Sequence, residues 1–222
     1  MDFNSIDWDH TGMVLSHYTQ TPLAKKKRLV RLFDRTWFHG RMLAKGRYGQ
    51  IPDEVAADSH SPGSIQWLEG NAQSWCQSCN AGLLENREHH LAVCNNVEAK
   101  RIRATWLSNF LKYTHTKLPL LYTHLRSRLK LSQDGSLSWD GSTNSASLIL
   151  SGCVPKSWWT VLFSRATCTL SDTPSDDERA RVDKIAANFT NLLRWLSTHL
   201  PKDIWAPMHK LRSENFVTRC QN

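Results

Sequence analysis

Apolar side chains recur at intervals of three and four residues along much of this chain, the spacing that lines one face of an α-helix. The clearest such stretches are 24–42, 97–114, 119–131 and 182–200. The last is the longest, and the acidic residues Asp176, Asp177 and Glu178 before it suit the first turn of a helix. Runs that alternate apolar and polar residues, as strands do, are scarce. The pattern therefore predicts a mainly α fold, a helical bundle whose apolar stripes pack against one another.

Polar and glycine-containing segments divide the chain between these stretches. Residues 1–23 have no periodic apolar pattern, so we predict a partly ordered N-terminal arm there. The segment 132–142 is rich in Ser, Asp and Gly, which predicts a linker with a small hairpin around Leu137–Trp139. The resulting hypothesis has the arm at 1–23, a first folded region at 24–131 and a C-terminal helical region at 145–222.

The apolar runs of the sequence are short. Leu118–Leu121 is one of the longest, far below the roughly 20 residues that span a bilayer, so we expect no membrane partner. The start, Met1–Asn4, is acidic and polar and does not resemble a secretory leader. We therefore expect an intracellular protein, nuclear or cytoplasmic, in a compartment where cysteines stay reduced.

Positive charge is concentrated in one predicted helix. The formal net charge is +8, and the segment from Lys25 to Arg47 holds nine Lys or Arg against the single Asp34. A basic helix of this kind suits contact with the phosphates of RNA or DNA, although the same pattern also serves nuclear import or a solvated surface. The residues that we expect to contact nucleic acid are Lys25, Lys26, Lys27, Arg28, Arg31, Arg35 and Arg41.

Cysteine and histidine are spaced like the ligands of a zinc site. Cys76 and Cys79 form a Cys-x2-Cys knuckle, and His90 and Cys94 lie four residues apart on a predicted short helix, where they share a face. His89 ranks second, because on an ideal helix it lies about 140° from Cys94, although a looser final turn would bring it in. Three thiolates and one imidazole leave no position for water, which predicts one structural Zn²⁺. Ordinary buried cysteines, a redox pair and a disulfide are the alternatives.

These residues, with the preceding basic helix and the helix that follows Cys94, resemble a known arrangement. It is the zinc-binding segment that follows the polymerase in reverse transcriptases of non-LTR retrotransposons. The resemblance is clearest from Leu29 to Leu131 and looser beyond. It implies that Cys76, Cys79, His90 (or His89) and Cys94 hold zinc, and that the fold engages nucleic acid. It does not imply polymerase activity, because the adjacent pair Asp176 and Asp177 lies in a polar helix start.

The leading hypothesis is a non-catalytic, zinc-stabilised protein that binds nucleic acid and corresponds to such a C-terminal segment without its polymerase. The alternative is a helical protein-protein interaction scaffold with a purely structural zinc, in which the 182–200 helix mediates self-association. An enzyme is not expected, because the candidate catalytic groups are scattered singly along the chain. Those groups are His39, Asp53, Asp58, His60 and His209.

Overall fold

The computed structural model describes residues 3–16, 76, 78–79, 86–167 and 175–212. Its α-helices are α1 (Trp8–Ser16), α2 (Val97–Lys117), α3 (Pro119–Arg128), α4 (Thr143–Leu150), α5 (Lys156–Thr167) and α6 (Asp176–His199). Two π-helical turns span His89–Val93 and Leu200–Trp205, a 3-10 turn spans Phe3–Ser5, and residues 206–212 are α-helical. The strands are β1 (Ile6–Asp7), β2 (Leu129–Leu131), β3 (Leu137–Trp139) and β4 (Val154–Pro155). The predicted mainly helical fold with a short hairpin is confirmed.

The helical pair α2 and α3 follows the sequence pattern closely. The side chain of Asn96 caps α2 by accepting hydrogen bonds from the backbone N–H groups of Glu98 and Ala99, at 2.9 and 3.3 Å. Leu118 separates the two helices, and Pro119 occupies the first turn of α3, where its missing N–H costs nothing. The predicted helix over 119–131 ends earlier, because its last three residues form β2.

The hairpin of β2 and β3 contributes to the core. Leu129 pairs with Trp139 and Leu131 with Leu137 in an antiparallel register. Leu129, Leu137 and Trp139 are buried. Gly135 in the connecting turn has φ 80°, a left-handed conformation that favours glycine. The segment predicted as a linker with a small hairpin therefore packs with the helices, while the division of the chain into separate domains stays a prediction.

The N-terminal segment predicted as a partly ordered arm contains α1, which packs against α6. Ile6 pairs with Pro155 where β1 meets β4, and the buried hydroxyl of Thr11 accepts a hydrogen bond from the Val154 N–H at 2.9 Å. These contacts join positions far apart in the chain, which a local apolar pattern does not reveal. Residues 24–42, predicted as the basic helix, lie outside the described residues.

Aromatic rings dominate the core. Trp106 and Trp158 are fully buried, as expected for tryptophans on apolar faces. Phe110 stacks on Trp106 with ring centroids 4.9 Å apart and lies 5.7 Å from the ring of Trp158 and 5.8 Å from that of Trp195. One apolar cluster extends from Val14 in α1 to Met208 near the end of the described chain. Residues from both predicted folded regions thus share one core.

The long helix α6 uses its apolar stripe inside this core. Ser175 and Glu178 form a reciprocal capping box at its start, which agrees with the predicted acidic first turn. From Phe189 onward the stripe is buried, whereas Val182 and Ile185 are only partly buried. The face proposed for self-association is therefore largely covered by the chain itself. Among the described residues, no helix is both long and apolar enough to cross a membrane.

Candidate metal centre

Three cysteines and one histidine come together near the N-terminal end of α2. The ligand-type atoms of Cys76, Cys79, His89 and Cys94 all lie within 4.8 Å of one another. We call these four residues the Cys3His cluster. Cys76, His89 and Cys94 are buried and Cys79 is partly exposed, so the cluster lies at the edge of the core rather than on the surface.

The structure places His89, which the sequence analysis ranked second, rather than His90 among the three cysteines. The reason is the helical geometry of His89–Val93. The Cys94 N–H donates to the His89 carbonyl at 2.6 Å, a bond that spans five residues and defines a π-helical turn. Residues five apart then share a face, whereas an ideal α-helix brings together residues four apart. His90 is buried beside the cluster but is not among its members.

The spacing of the cluster atoms suits a tetrahedral ion. The sulfurs of Cys76 and Cys94 are 3.8 Å apart, and the Cys79 sulfur is 3.3 Å from Nε2 of His89. Tetrahedral Zn²⁺, with Zn–S bonds of about 2.3 Å and Zn–N bonds of about 2.0 Å, places two sulfurs about 3.8 Å apart and a sulfur and a nitrogen about 3.5 Å apart. A disulfide requires S–S of about 2.0 Å, so these cysteines are free thiols.

Two asparagines position the ligands. Oδ1 of Asn86 accepts from the His89 N–H at 2.7 Å and so fixes the start of the π-helical turn. Asn96, which caps α2, also donates from Nδ2 to the Ser78 carbonyl at 2.8 Å. The knuckle between Cys76 and Cys79 is therefore tied to the first turn of α2 by a single side chain. Asn96 has a recognisable sequence signal, since it directly precedes a periodic apolar stretch.

The π-helical turn is docked on α4. Leu91 and Ala92 are fully buried. Arg87 donates to the side chain of Asn144 at 3.2 Å, and the Thr143 hydroxyl donates to the Glu88 carboxylate. The segment that carries His89 thus contacts α4, and the knuckle of Cys76 and Cys79 is tied to the start of α2.

A buried arginine lies directly behind the cluster. Arg103 of α2 is fully buried, and its guanidinium donates to the carbonyls of Cys94 and of Gly135, the latter at 2.9 Å. Burial lowers the pKa of Arg103 to about 10, so the guanidinium stays charged at neutral pH. The opposing influences that raise this pKa are Cys94 first and the exposed Asp134 second. In the sequence, Arg103 is a charged residue on the apolar face of the predicted helix. It was not singled out in the sequence analysis.

The thiols of Cys76 and Cys94 are hydrogen-bonded to each other, with their sulfurs 3.8 Å apart. Their hydrogen bond, followed by burial, raises the pKa of Cys76 to about 12, while the same hydrogen bond lowers the pKa of Cys94. Cys94 is thus the first of the pair to become a thiolate, the form that binds a metal. Cys76 keeps its proton until a cation displaces it.

The fold and this site define a mainly helical protein with a buried Cys3His cluster that can hold a metal ion. No family model matches the chain, and neither a curated protein nor a solved structure matches it. The residues predicted to contact nucleic acid, Lys25 to Arg41, lie outside the described residues, as do Cys168 and Cys220.

Proposed function

We propose that the Cys3His cluster holds one structural Zn²⁺ and that the protein is a non-catalytic nucleic-acid-binding protein. The observation that carries the zinc assignment is the distance set: a sulfur-sulfur pair at 3.8 Å and a sulfur-nitrogen pair at 3.3 Å, in one largely buried group of four candidate ligands. All four tetrahedral positions are filled by side chains, which is the arrangement of a structural rather than a catalytic site.

Charge balance supports the same assignment. Three thiolates around Zn²⁺ carry a net charge of −1, and the buried guanidinium of Arg103 lies against Cys94. A buried cation costs several kcal/mol unless an opposite charge compensates it. Protonated thiols would provide no such charge. The metal-loaded cluster carries this negative charge and lies next to the guanidinium of Arg103.

Nucleic-acid binding is supported by the distribution of charge along the sequence. Beyond the excess in Lys25–Arg47, residues 86–167 hold eleven Lys or Arg against four Asp or Glu, a net charge of +7. Two of those acidic residues are engaged in ion pairs, Glu98 with Arg101 and Asp140 with Arg128. Acidic residues elsewhere in the sequence offset part of this positive charge, so the formal net charge of the whole chain is +8. The resemblance to the zinc-binding segment of non-LTR retrotransposon reverse transcriptases supports the same function, and we propose kinship with it.

The zinc assignment is tested by metal content in matched cysteine variants. Cys79→Ser and Cys94→Ser should each lose the bound zinc, since ligand and metal are lost together. Cys153→Ser is the control, because Cys153 is buried outside the cluster. His89→Ala should lose zinc and His90→Ala should retain it. Zinc retained in Cys94→Ser, or lost only in His90→Ala, would contradict the ligand set.

Nucleic-acid binding is tested by charge reversal and salt. Arg31→Glu with Arg35→Glu should weaken binding to an oligonucleotide and reduce the slope of log K against log salt by about 1 for each phosphate that the variant no longer neutralises. Arg179→Glu with Arg181→Glu is the control, because it changes the same charge at exposed positions of α6. Equal reductions in both double variants would point to a general charge effect and reject the basic segment as the contact surface.

A further inference from the structure

A surface cleft of about 410 Å³ lies between the end of α2 and the C-terminal half of α6, away from the Cys3His cluster. Its lining includes Tyr113, Lys117, Asn191, Arg194, Trp195 and His199. Lys117, Asn191 and Arg194 are exposed, and the three ring-bearing residues are partly exposed. The cleft therefore presents aromatic, cationic and amide groups to solvent within one small volume.

The aromatic wall of this cleft is ordered by stacking. Trp195 stacks on His199 at a centroid distance of 4.2 Å and on Tyr113 at 5.3 Å, with interplanar angles of 21° and 26°. Trp195 also stacks on Phe110, which belongs to the buried ring cluster of the core. The wall is thus packed against the buried core, so presenting it to a ligand costs little entropy.

The polar groups of the cleft favour an anion. Lys117 and Arg194 bring two positive charges, and no Asp or Glu is among the described residues that line it. The nearby carboxylate of Asp203 is engaged with Nδ1 of His199 at 2.7 Å. Arg194 and Asn191 both line the cleft, where Arg194 donates a long hydrogen bond of 3.4 Å to the side-chain oxygen of Asn191.

We propose that this cleft binds one nucleotide unit of a single-stranded nucleic acid, with its base against the aromatic wall of Tyr113, Trp195 and His199 and its phosphate at Lys117 and Arg194. The proposal rests on the nucleic-acid binding proposed above and adds a second contact surface. Stacking on an aromatic side chain requires an unpaired base, since the face of a paired base is covered within a duplex. The cleft therefore selects single strands, whereas the basic segment 25–47 contacts the phosphates of single strands and duplexes alike.

The experiment measures binding of a labelled oligouridine strand of about 12 nucleotides, a common site size, and of a duplex of equal length. Arg194→Glu and Lys117→Glu should each weaken binding of the single strand by at least about tenfold and leave duplex binding nearly unchanged. Arg179→Glu, on the exposed first half of the same helix, is the control. A 5-iodouridine strand should cross-link to Tyr113 or Trp195, a readout that needs no substitution in the core.

The outcomes separate the two proposals. A single-strand defect in Arg194→Glu and Lys117→Glu that is absent from Arg179→Glu supports the cleft. Parent-like binding in both variants, with weakening only in the Arg31 and Arg35 reversals, overturns the cleft and leaves the proposed function standing. No binding of either probe by the parent chain overturns both. A polyglutamate peptide that binds with the same dependence on Arg194 also overturns the cleft, because it carries charge without a base to stack.

Discussion

The molecule holds cysteines in two regions that stabilise the chain by different means. At the Cys3His cluster, the hydrogen bond between Cys76 and Cys94 lowers the pKa of Cys94 and raises that of Cys76 to about 12. In the apolar core, burial raises the pKa of Cys153 to about 11. The first region groups four side chains that can bind a metal ion, whereas the second buries a single neutral thiol. Order around the cluster should therefore depend on a cation and on pH, whereas order in the core should depend on apolar contacts.

Removal of the metal should produce the largest difference between the two regions, measured as the loss of hydrogen-exchange protection of their backbone amides. A zinc chelator should lower the hydrogen-exchange protection of amides in 86–96 by at least about 3 kcal/mol, because metal binding and local folding are linked. Amides of α6 from Phe189 to Leu196 should keep most of their protection, since their contacts are apolar. Hydrogen exchange with mass spectrometry resolves both segments. Equal loss in the two segments would show that the cluster and the core are not independent.

Truncation of a ring in the apolar core should lower the free energy of unfolding whether or not the metal is bound. Trp106→Ala should lower the free energy of unfolding by about 3–5 kcal/mol, because the ring is fully buried against Phe110. Urea unfolding measures this change, which should be similar with and without chelator. Trp8→Ala is the control, since the side chain of Trp8 is 42% exposed and its removal should cost less. A destabilisation that disappears after chelation would place Trp106 in the metal-dependent region.

The two environments of cysteine should differ in their response to alkaline pH. The pKa of Cys153 is raised from 9.0 to about 11, so the folded state holds this proton more tightly than the unfolded state. The stability contributed by the neutral thiol is full below pH 9 and is lost as pH rises toward 11, by about 3 kcal/mol. Urea unfolding should therefore show a steeper decline for the parent than for Cys153→Ala. Parallel declines would mean that Cys153 does not titrate in this range.

Arg103 links the two regions, and its replacement should have the smallest effect. Arg103→Met should weaken zinc affinity by about 10–100-fold, because it removes the charge and the hydrogen bond behind Cys94. A competition titration with a chromophoric chelator measures the affinity. Arg101→Met is the control on the same helix, since Arg101 is exposed and paired with Glu98. Parent-like affinity in Arg103→Met would remove the charge-balance support for the zinc assignment.

Periodicity and capping made much of the fold predictable. The apolar stripes over 97–114 and 182–200 lie within α2 and largely within α6, because α2 buries one face along most of its length and α6 buries its stripe from Phe189 onward. The helix α4 was not predictable in this way. Its first three residues are Thr, Asn and Ser, and it begins through the cap of Ser142 on the Ser145 N–H rather than through an apolar pattern. The packing of α1 against α6 was not predicted either. It goes together with the pairing of β1, just before α1, with the distant strand β4.

The ligand residue types of the site were predictable, but their geometry was not. The spacing of Cys76, Cys79 and Cys94 indicated a metal site directly. The choice between His89 and His90 required knowledge of the turn type, and a π-helical turn reverses the answer that an ideal α-helix gives. The role proposed for Arg103 depends on burial, which the sequence records only as a charge among apolar neighbours.

X-ray absorption at the zinc edge of the purified protein tests the central claim most directly. The account predicts one zinc per chain with three sulfur neighbours at about 2.3 Å and one nitrogen neighbour at about 2.0 Å, without a water ligand. The same spectrum should persist in His90→Ala and disappear in His89→Ala. A folded protein without zinc, or a zinc surrounded mainly by oxygen and nitrogen, would contradict it.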